Sequence, residues 1–236
     1  MKFSIIIPCY NEGENLKNLV QRILPLAKQF EIEYLLVENG SRDNSNQIMK
    51  EMPEIDGKQI KMVEVPVNKG HGYGLIQGMK AASGDYIGWI HADLQMPPEE
   101  LIAFMEYAQE NGQCGKLFMK GIRTNRKIFD RFFTVGQSIF NTLLFRTRLY
   151  DIGAIPVLFH RDLLERFDKI PYDFSLELYV YMMAKKHGYQ IWRKTVVLHR
   201  REKGASSWDK GLSSKIKQSK RIFHDSILIA KGEQVE

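Results

Sequence analysis

Asp93 and Gln95 occupy alternate positions in GDYIGWIHADLQMPPEEL, residues 84–101, at the end of an apolar run and just ahead of two prolines. A carboxylate and an amide carbonyl at that spacing offer two oxygens to one hard cation. Mg²⁺ and Mn²⁺ commonly take one or two protein oxygens and complete their shell with phosphate oxygens. His91 stands two residues before Asp93, where a second acid would make an Asp-x-Asp clasp. Neutral imidazole is softer than carboxylate, so it moves preference from Mg²⁺ toward Mn²⁺ or Zn²⁺ and removes a negative charge. The same residues also suit a turn aspartate before Pro97 and a strand-end histidine that ligates nothing. Further along, Arg123, Arg126, Arg200 and Arg201 are able to neutralise phosphates. A metal and arginines around a pyrophosphate would stabilise a departing nucleoside diphosphate. Asn68-Lys69-Gly70-His71-Gly72-Tyr73-Gly74 has the alternating glycines of a phosphate cradle, or of a tight strand-to-helix turn; it lacks the Gly-Lys-Ser/Thr of a P-loop.

Something must hold these groups together. Phe3 to Pro8, Tyr34 to Val37, Ile60 to Val65 and Tyr86 to Ile90 are short apolar runs of the kind that form buried strands. Between them the spacing predicts helices from Glu12 to Phe30, capped by Asn11, from Asp43 to Met52, and from Leu75 to Ala82, the last after a turn at Gly70 to Gly74. Pro97 and Pro98 open a helix to Asn111. Strand–helix alternation predicts an α/β fold, a mostly parallel central sheet covered on both faces. Ligands of such sheets bind beyond the strands' carboxyl ends. Residues 8–12, 38–43, 68–74 and 91–95 all lie at those ends and are expected in one crevice.

After about residue 115 the rhythm weakens. Helices are expected over 129–148, 175–188 and 212–229, a turn and then a strand within 151–159, and a strand over 190–198. The expected organisation is a domain over 1–208, with halves at 1–115 and 116–208, and a basic helical tail over 209–236. The net charge of +6 is uneven. Residues 1–115 hold ten lysines and arginines against sixteen acids, whereas 116–148 hold eight against one and 193–224 ten against two. Basic blocks of this kind suit nucleic acid, anionic lipid or a phosphorylated substrate. No RNA-recognition signature, zinc finger or aromatic-basic platform is present, so nucleic acid is not an expected partner. No run approaches the roughly 18–20 apolar residues of a membrane span, and no secretory signal is evident. The expectation is a cytoplasmic protein. Cys9 and Cys114 make no disulfide scaffold and no metal-ligand spacing.

Six segments in order resemble family 2 glycosyltransferases of the GT-A fold, most closely the polyprenyl-phosphate (dolichyl-phosphate) mannosyl- and glucosyltransferase branch. SIIIPCYNEGENL is similar to the family's opening, LLVENGSRDNS to its Val-Asp-Asp-Gly-Ser-x-Asp segment, and NKGHGYG through HADLQMPPEEL to its Gly-rich and Asp-x-Asp stretch. DIGAIPVLFHRDLL, YDFSLELYVYMMAKKHGYQI and HRREKGASSW are similar to the acceptor loop, the following helix and the closing Arg-x-x-Gly-x-Ser motif. The resemblance implies a Rossmann-like GT-A fold and an inverting enzyme. It would move a hexose from a nucleotide-diphosphate sugar to a polyprenyl phosphate or glycan precursor, using a divalent cation, Mn²⁺ or Mg²⁺. It implies that Pro8, Tyr10, Glu12, Glu38 and Asn39 line the nucleoside pocket, with Lys69 in the glycine loop beside the donor. Asp93 and Gln95, with His91, would hold metal and diphosphate; Arg123 and Arg201 would meet phosphates. Asp151 maps onto the family's acceptor-side aspartate. Because a phosphate acceptor is already anionic, Asp151 is expected to position substrate, while Asp151 and Glu177 are the candidate bases for a hydroxyl acceptor.

Three departures bear on specificity. Asn39 replaces the second acid of the nucleotide segment, His91 the first acid of the clasp, and Ala154-Ile155-Pro156 the Ser-Gly-Phe-Arg pattern after Asp151. The 129–148 helix mixes large apolar residues with Arg131, Arg146 and Arg148, which suits either burial against the sheet or a membrane interface. With the basic Lys210 to Arg221 stretch it makes a peripheral contact with an anionic membrane a further expectation. A decayed, non-catalytic nucleotide-sugar-binding or partner-binding protein is the rival reading.

Overall fold

The apolar runs pair into a seven-stranded sheet in a computed structural model of the chain, which describes residues 1–55, 57–125, 128–201, 203, 212–233 and 235. In chain order come β1 (Phe3–Cys9), α1 (Gly13–Ile23), β2 (Ile32–Asn39), α2 (Ser45–Glu51), β3 (Ile60–Val65), α3 (His71–Ala81) and β4 (Tyr86–Trp89). Then follow α4 (Leu101–Asn111), β5 (Leu117–Thr124), α5 (Ile128–Phe145), β6 (Val157–His160), α6 (Leu176–Lys186), β7 (Gln190–Val197) and α7 (Leu212–Lys231). The spatial order is β3-β2-β1-β4-β6-β5-β7. β6 runs against both its neighbours, while the other six strands point the same way. This is the expected mostly parallel α/β sheet, with α7 as the C-terminal helical extension.

The topology follows from burial. Every residue of β2 and nearly every residue of β1 is buried, as central strands covered on both faces require. Right-handed crossovers put α1 and α2 on one face and α3 on the other. The six codirectional strands therefore release their C-terminal ends at one edge, and the turn that enters β6 joins them there. Hydrogen bonds stitch this edge. Glu12 N–H donates to Ser45 Oγ at 3.0 Å and Gly13 N–H to the Asp43 carboxylate at 3.2 Å. Asn39 Nδ2 donates to the Gly70 carbonyl at 3.1 Å, and His199 N–H to the Gln95 carbonyl at 2.8 Å.

Several expectations are corrected. The first helix ends at Ile23, not Phe30, since Pro25 cannot continue it and a 3₁₀ turn over Leu26–Lys28 follows. Asn11 is not its cap: it has a positive φ of 56°, and its side chain accepts from Arg42 N–H. The glycine stretch is largely helix, because α3 begins at His71. Only Gly70 needs a conformation closed to other residues, with φ 120°. β5 is a strand that pattern reading missed, since buried Lys120 interrupts its apolar run. In α5, Phe132, Ile139 and Leu143 are 76%, 57% and 74% exposed, so burial against the sheet does not describe that face. The opposite side meets α7, where Phe140 and Phe223 pack edge to face. Cys9 is buried and its thiol contacts the Ile7 carbonyl; the Cys114 side chain, Arg126 and the expected boundary at 208/209 lie outside the described residues. Among the described residues no helix is long and apolar enough to cross a membrane.

Gly88 lets β4 and β6 pair closely. A Cβ there would stand 2.2 Å from the Val157 carbonyl oxygen, a backbone atom that cannot rotate away. Gly136 on α5 has open space around that position. Gly88→Ala should therefore cost about 1–3 kcal/mol, while Gly136→Ala should gain about 0.5–1 kcal/mol from helix propensity. Urea unfolding checks both as opposite shifts of midpoint at unchanged slope. Equal midpoints would show that β4 and β6 have slack.

Candidate active site

Three groups of polar side chains gather at the C-terminal edge of the sheet. The first joins the tips after β1, β4 and β7. Arg201 Nη2 donates to both carboxylate oxygens of Glu12 at 2.6 Å, and its Nη1 lies 3.6 Å from Asp93 Oδ2. Burial pushes the Glu12 carboxyl up, against the opposing effect of its bonds to Arg201 and Asn15. Asp93 Oδ1 accepts from Gln95 N–H at 3.1 Å, an Asx turn in which Leu94 takes a φ of 57°. Two oxygen-bearing side chains thus flank a turn whose outer carboxylate oxygen meets only part of a guanidinium.

The second group lies where α3, β4, β5 and α6 converge. Glu177, at the first turn of α6, is buried; its Oε1 accepts from Trp89 Nε1 at 2.7 Å and its Oε2 from Lys120 Nζ at 3.3 Å. Lys120, fully buried on β5, also donates to the Ala154 carbonyl at 2.6 Å. Burial brings the Lys120 ammonium down to about 8. Burial alone would raise Glu177, but Lys120 and the neighbouring imidazoles overcome it and hold the carboxyl at about 2. Both shifts leave the pair ionised at neutral pH. His71 and His91 complete the group, with rings 5.4 Å apart and edge to face, and His71 stacks on Phe174 at 4.8 Å. The Nε2 atoms of both histidines are buried without a hydrogen bond; Glu177 Oε1 lies 4.0 Å from His71 Nε2, beyond hydrogen-bond range. An orphaned buried polar atom costs about 1–3 kcal/mol.

The third group lies between the end of β5 and α5. Asp151, buried with φ 44°, accepts from Arg123 N–H at 2.7 Å and from Arg123 Nε at 2.9 Å. Burial opposes ionisation, but the Arg123 guanidinium outweighs it and lowers the Asp151 pKa. A cavity of about 260 Å³ opens beside this pair, lined also by Arg131, Thr134, Val135 and Tyr150.

The expected nucleoside-pocket residues sit at the same edge in varied roles. Pro8 and Tyr10 are half-buried at the end of β1. Glu38 is buried and caps its own turn, accepting from Ser41 N–H at 2.7 Å and from Asn46. Asn39 is buried beneath Gly70, with its Oδ1 unpartnered. Lys69 is exposed and lies 5.2 Å over the Tyr73 ring, and Arg200 is exposed. Glu177 and Asp151 are both ion-paired and ionised, which makes them weak proton acceptors. His71, Lys120 and Trp89 escaped the reading of the sequence. His71 was hidden in the glycine stretch, and Lys120 in a strand it disguised.

One donor set fits a divalent cation by distance, the imidazoles of His71 and His91 beside Glu177, while Asp93 and Gln95 offer oxygens of the right type on one turn. His71, His91 and Glu177 offer ligand atoms all within 4.8 Å of one another.

This sheet order and polar edge define a GT-A-type fold. A glucosyl-3-phosphoglycerate synthase from Mycobacterium tuberculosis, solved with Mn²⁺, uridine diphosphate and glucosyl-3-phosphoglycerate, superimposes with a TM-score of 0.71 at 16% identity, covering 100% of this chain and 81% of that one. At that identity the likeness establishes fold alone. The sequence profile of glycosyl transferase family 2 matches residues 4–167, and the chain belongs to that family. An undecaprenyl-phosphate 4-deoxy-4-formamido-L-arabinose transferase from Pseudomonas fluorescens (strain SBW25) is 39% identical over 126 residues, 52% of this chain and 36% of that protein. Its namesake from Klebsiella pneumoniae (strain 342) is 32% identical over 172 residues, 70% of this chain and 50% of that protein. The matched stretch thus spans half or less of these relatives.

The Lys120–Glu177 pair sets two expectations. Lys120→Met strands a buried carboxylate and should cost about 3–5 kcal/mol. Glu177 is depressed in the fold from 4.5 to about 2, so its stabilisation is full above 4.5 and drains away as pH falls toward 2. The stability advantage of the wild type over Glu177→Gln should shrink across that window in urea titrations. An advantage independent of pH would mean that Glu177 acts by shape alone.

Proposed function

We propose that the protein is an inverting glycosyltransferase that moves a sugar from a nucleotide-diphosphate donor to a polyprenyl phosphate at a membrane surface. The observation that carries this reading is the placement of Glu12, Asp93 and Arg201 on one edge with the Arg123–Asp151 cavity. The first set suits a nucleoside diphosphate. The second suits an acceptor phosphate.

The step is a single displacement. An acceptor phosphate oxygen forms a bond to the anomeric carbon, the bond from that carbon to the diphosphate oxygen breaks, and the nucleoside diphosphate leaves with the electron pair. A phosphate is already anionic at pH 7, so no base is needed, in keeping with two candidate acids that are ion-paired. Arg201 is placed to bind the donor's phosphates in exchange for Glu12. Asp151 orients Arg123 toward an acceptor phosphate. A divalent cation held by Asp93 and Gln95 would supply positive charge to the diphosphate. The family resemblance suggests a hexose, whereas the relatives' names specify an arabinose derivative, so both sugar classes are candidates.

The membrane reading rests on α5 and α7. Phe132, Val135, Ile139 and Leu143 form one exposed apolar line at spacings of three and four residues. Arg131, Arg146 and Arg148 flank it, and Lys217 and Lys220 are exposed on α7. An apolar line with basic flanks suits the interface of an anionic bilayer. Val135 and Arg131 also line the cavity, so a lipid lying under α5 would have its phosphate beside Arg123.

The test is release of nucleoside diphosphate from GDP-, UDP- and dTDP-linked hexoses and pentoses, with Mn²⁺, Mg²⁺ or EDTA, and with a short polyprenyl phosphate. Release from one donor that needs the acceptor and is lost in Asp93→Ala is expected. Nucleotide binding without turnover would favour a non-catalytic binding protein, and no binding would remove the nucleotide site. Separately, Phe132→Ser and Leu143→Ser should each weaken partitioning onto anionic vesicles about tenfold, as loss of a buried large apolar side chain implies. Partitioning that persists unchanged would take α5 away from the membrane.

A further inference from the structure

We propose that His71, His91 and Glu177 form a cation site of their own, suited to a borderline first-row metal such as Zn²⁺ and separate from the oxygen clasp at Asp93. Three observations carry it. The imidazole Nε2 atoms of His71 and His91 are both buried and both lack a hydrogen bond, so each has an unused lone pair or proton in the interior. A ring nitrogen of each histidine and a Glu177 oxygen lie within 4.8 Å of one another, and the His71 Nε2 to Glu177 Oε1 distance is already 4.0 Å. With bonds of about 2.0–2.2 Å, ligands of a single ion stand at most about 4.4 Å apart. Side-chain rotations of under about 1 Å would close the ring at this bond length.

The donor set decides the metal. Two imidazoles and one carboxylate are the ligands of a borderline cation; Mg²⁺ requires oxygens and keeps its waters. The supporting contacts suit such a site as well. Trp89 Nε1 fixes Glu177 Oε1, and Lys120 occupies the other oxygen, so only one carboxylate oxygen faces the imidazoles. Orientation of a ligand by a fixed partner raises metal affinity. Phe174 stacks on His71 and holds its ring. His91, placed with His71 and Glu177, stands two residues from Asp93, yet Asp93 is directed toward Arg201. The two donor sets differ in chemistry, two imidazole nitrogens with one carboxylate oxygen in the first and oxygens alone in the second.

A cation here would join the start of α3, the tip of β4 and the first turn of α6, pinning the donor half to the acceptor half. The site stands on these contacts alone and not on the transferase reading, so it needs neither donor nor acceptor.

The full chain, stripped by chelator and free of nucleotide, would be titrated with Co²⁺ as a spectroscopic probe and with Zn²⁺ in competition. One Co²⁺ per chain is expected, with visible bands of nitrogen ligation, displaced by Zn²⁺ and not by excess Mg²⁺. A rise of thermal midpoint should accompany binding, since the cation binds only the folded state. His71→Ala and His91→Ala should each weaken binding by about tenfold or more, in line with loss of a metal ligand, while Asp93→Asn leaves it intact. Circular dichroism would confirm that each variant is folded. Absence of nitrogen-ligated bands at one equivalent, or loss of the site in Asp93→Asn but not in the histidine variants, would overturn the proposal.

Discussion

A buried ammonium–carboxylate pair, Lys120 with Glu177, ties β5 to α6, and Trp89 brings β4 into the same contact. Lys120 projects from β5, Glu177 opens α6, and Trp89 on β4 shares the same carboxylate. Such a pair is a weak source of stability against a hydrophobic replacement, because desolvating two charges offsets most of their attraction. Its effect is on geometry. A carboxylate with one oxygen on an indole N–H and the other on an ammonium has a single orientation, and that orientation faces His71 and His91. β5 must then pair in the register that puts Lys120 opposite α6, which brings Arg123 to the end of the strand beside Asp151.

The outer rim works on a different balance. Arg201 is divided between Glu12 and Asp93, both at the carboxyl edge of the sheet. A guanidinium held by two carboxylates neutralises the edge in the absence of ligand. In the proposed transferase an arriving diphosphate would compete with those carboxylates for Arg201, so its affinity would be a difference of two sets of interactions rather than a sum of contacts. The neighbouring Asn39 shows the other side of the same edge. Where the family pattern has an acid, an amide spends its donor on Gly70 and turns its oxygen inward.

Much of this was legible in the sequence because parallel strands announce themselves. β1 to β4 are short apolar runs with turns at their ends, and the rule that ligands meet the carboxyl ends of such strands brought Glu12 and Asp93 toward one place, while Arg201 came from the family resemblance. What was not legible has a common cause, polar residues in positions that pattern reading assigns to the surface. Lys120 concealed β5, since a charge within an apolar run reads as a strand's end. His71 concealed the start of α3, since glycines at 70, 72 and 74 read as a turn. Those glycines answer to packing: a Cβ at Gly72 would fall 2.6–2.8 Å from the backbone around Tyr172. Pro25, by contrast, was visible, and only the length of the first helix was overrun.

The acceptor side narrows the chemistry further. Asp151 and Glu177 are the two acids that sequence alone offers as bases, and both are held ionised by a cation within hydrogen-bond reach. Taking a proton from a sugar hydroxyl would require either to leave its partner or to accept a proton against that partner's field. An acceptor that arrives already ionised imposes neither demand. It would also give Arg123 and Arg131 an anion to meet in a cavity that α5 lines with Thr134 and Val135. An anionic head with an apolar tail suits both that cavity and the exposed line of Phe132, Ile139 and Leu143 that continues from Val135. The chemistry of the two acids and the exposure of α5 are independent observations, and both favour the proposed lipid-phosphate acceptor.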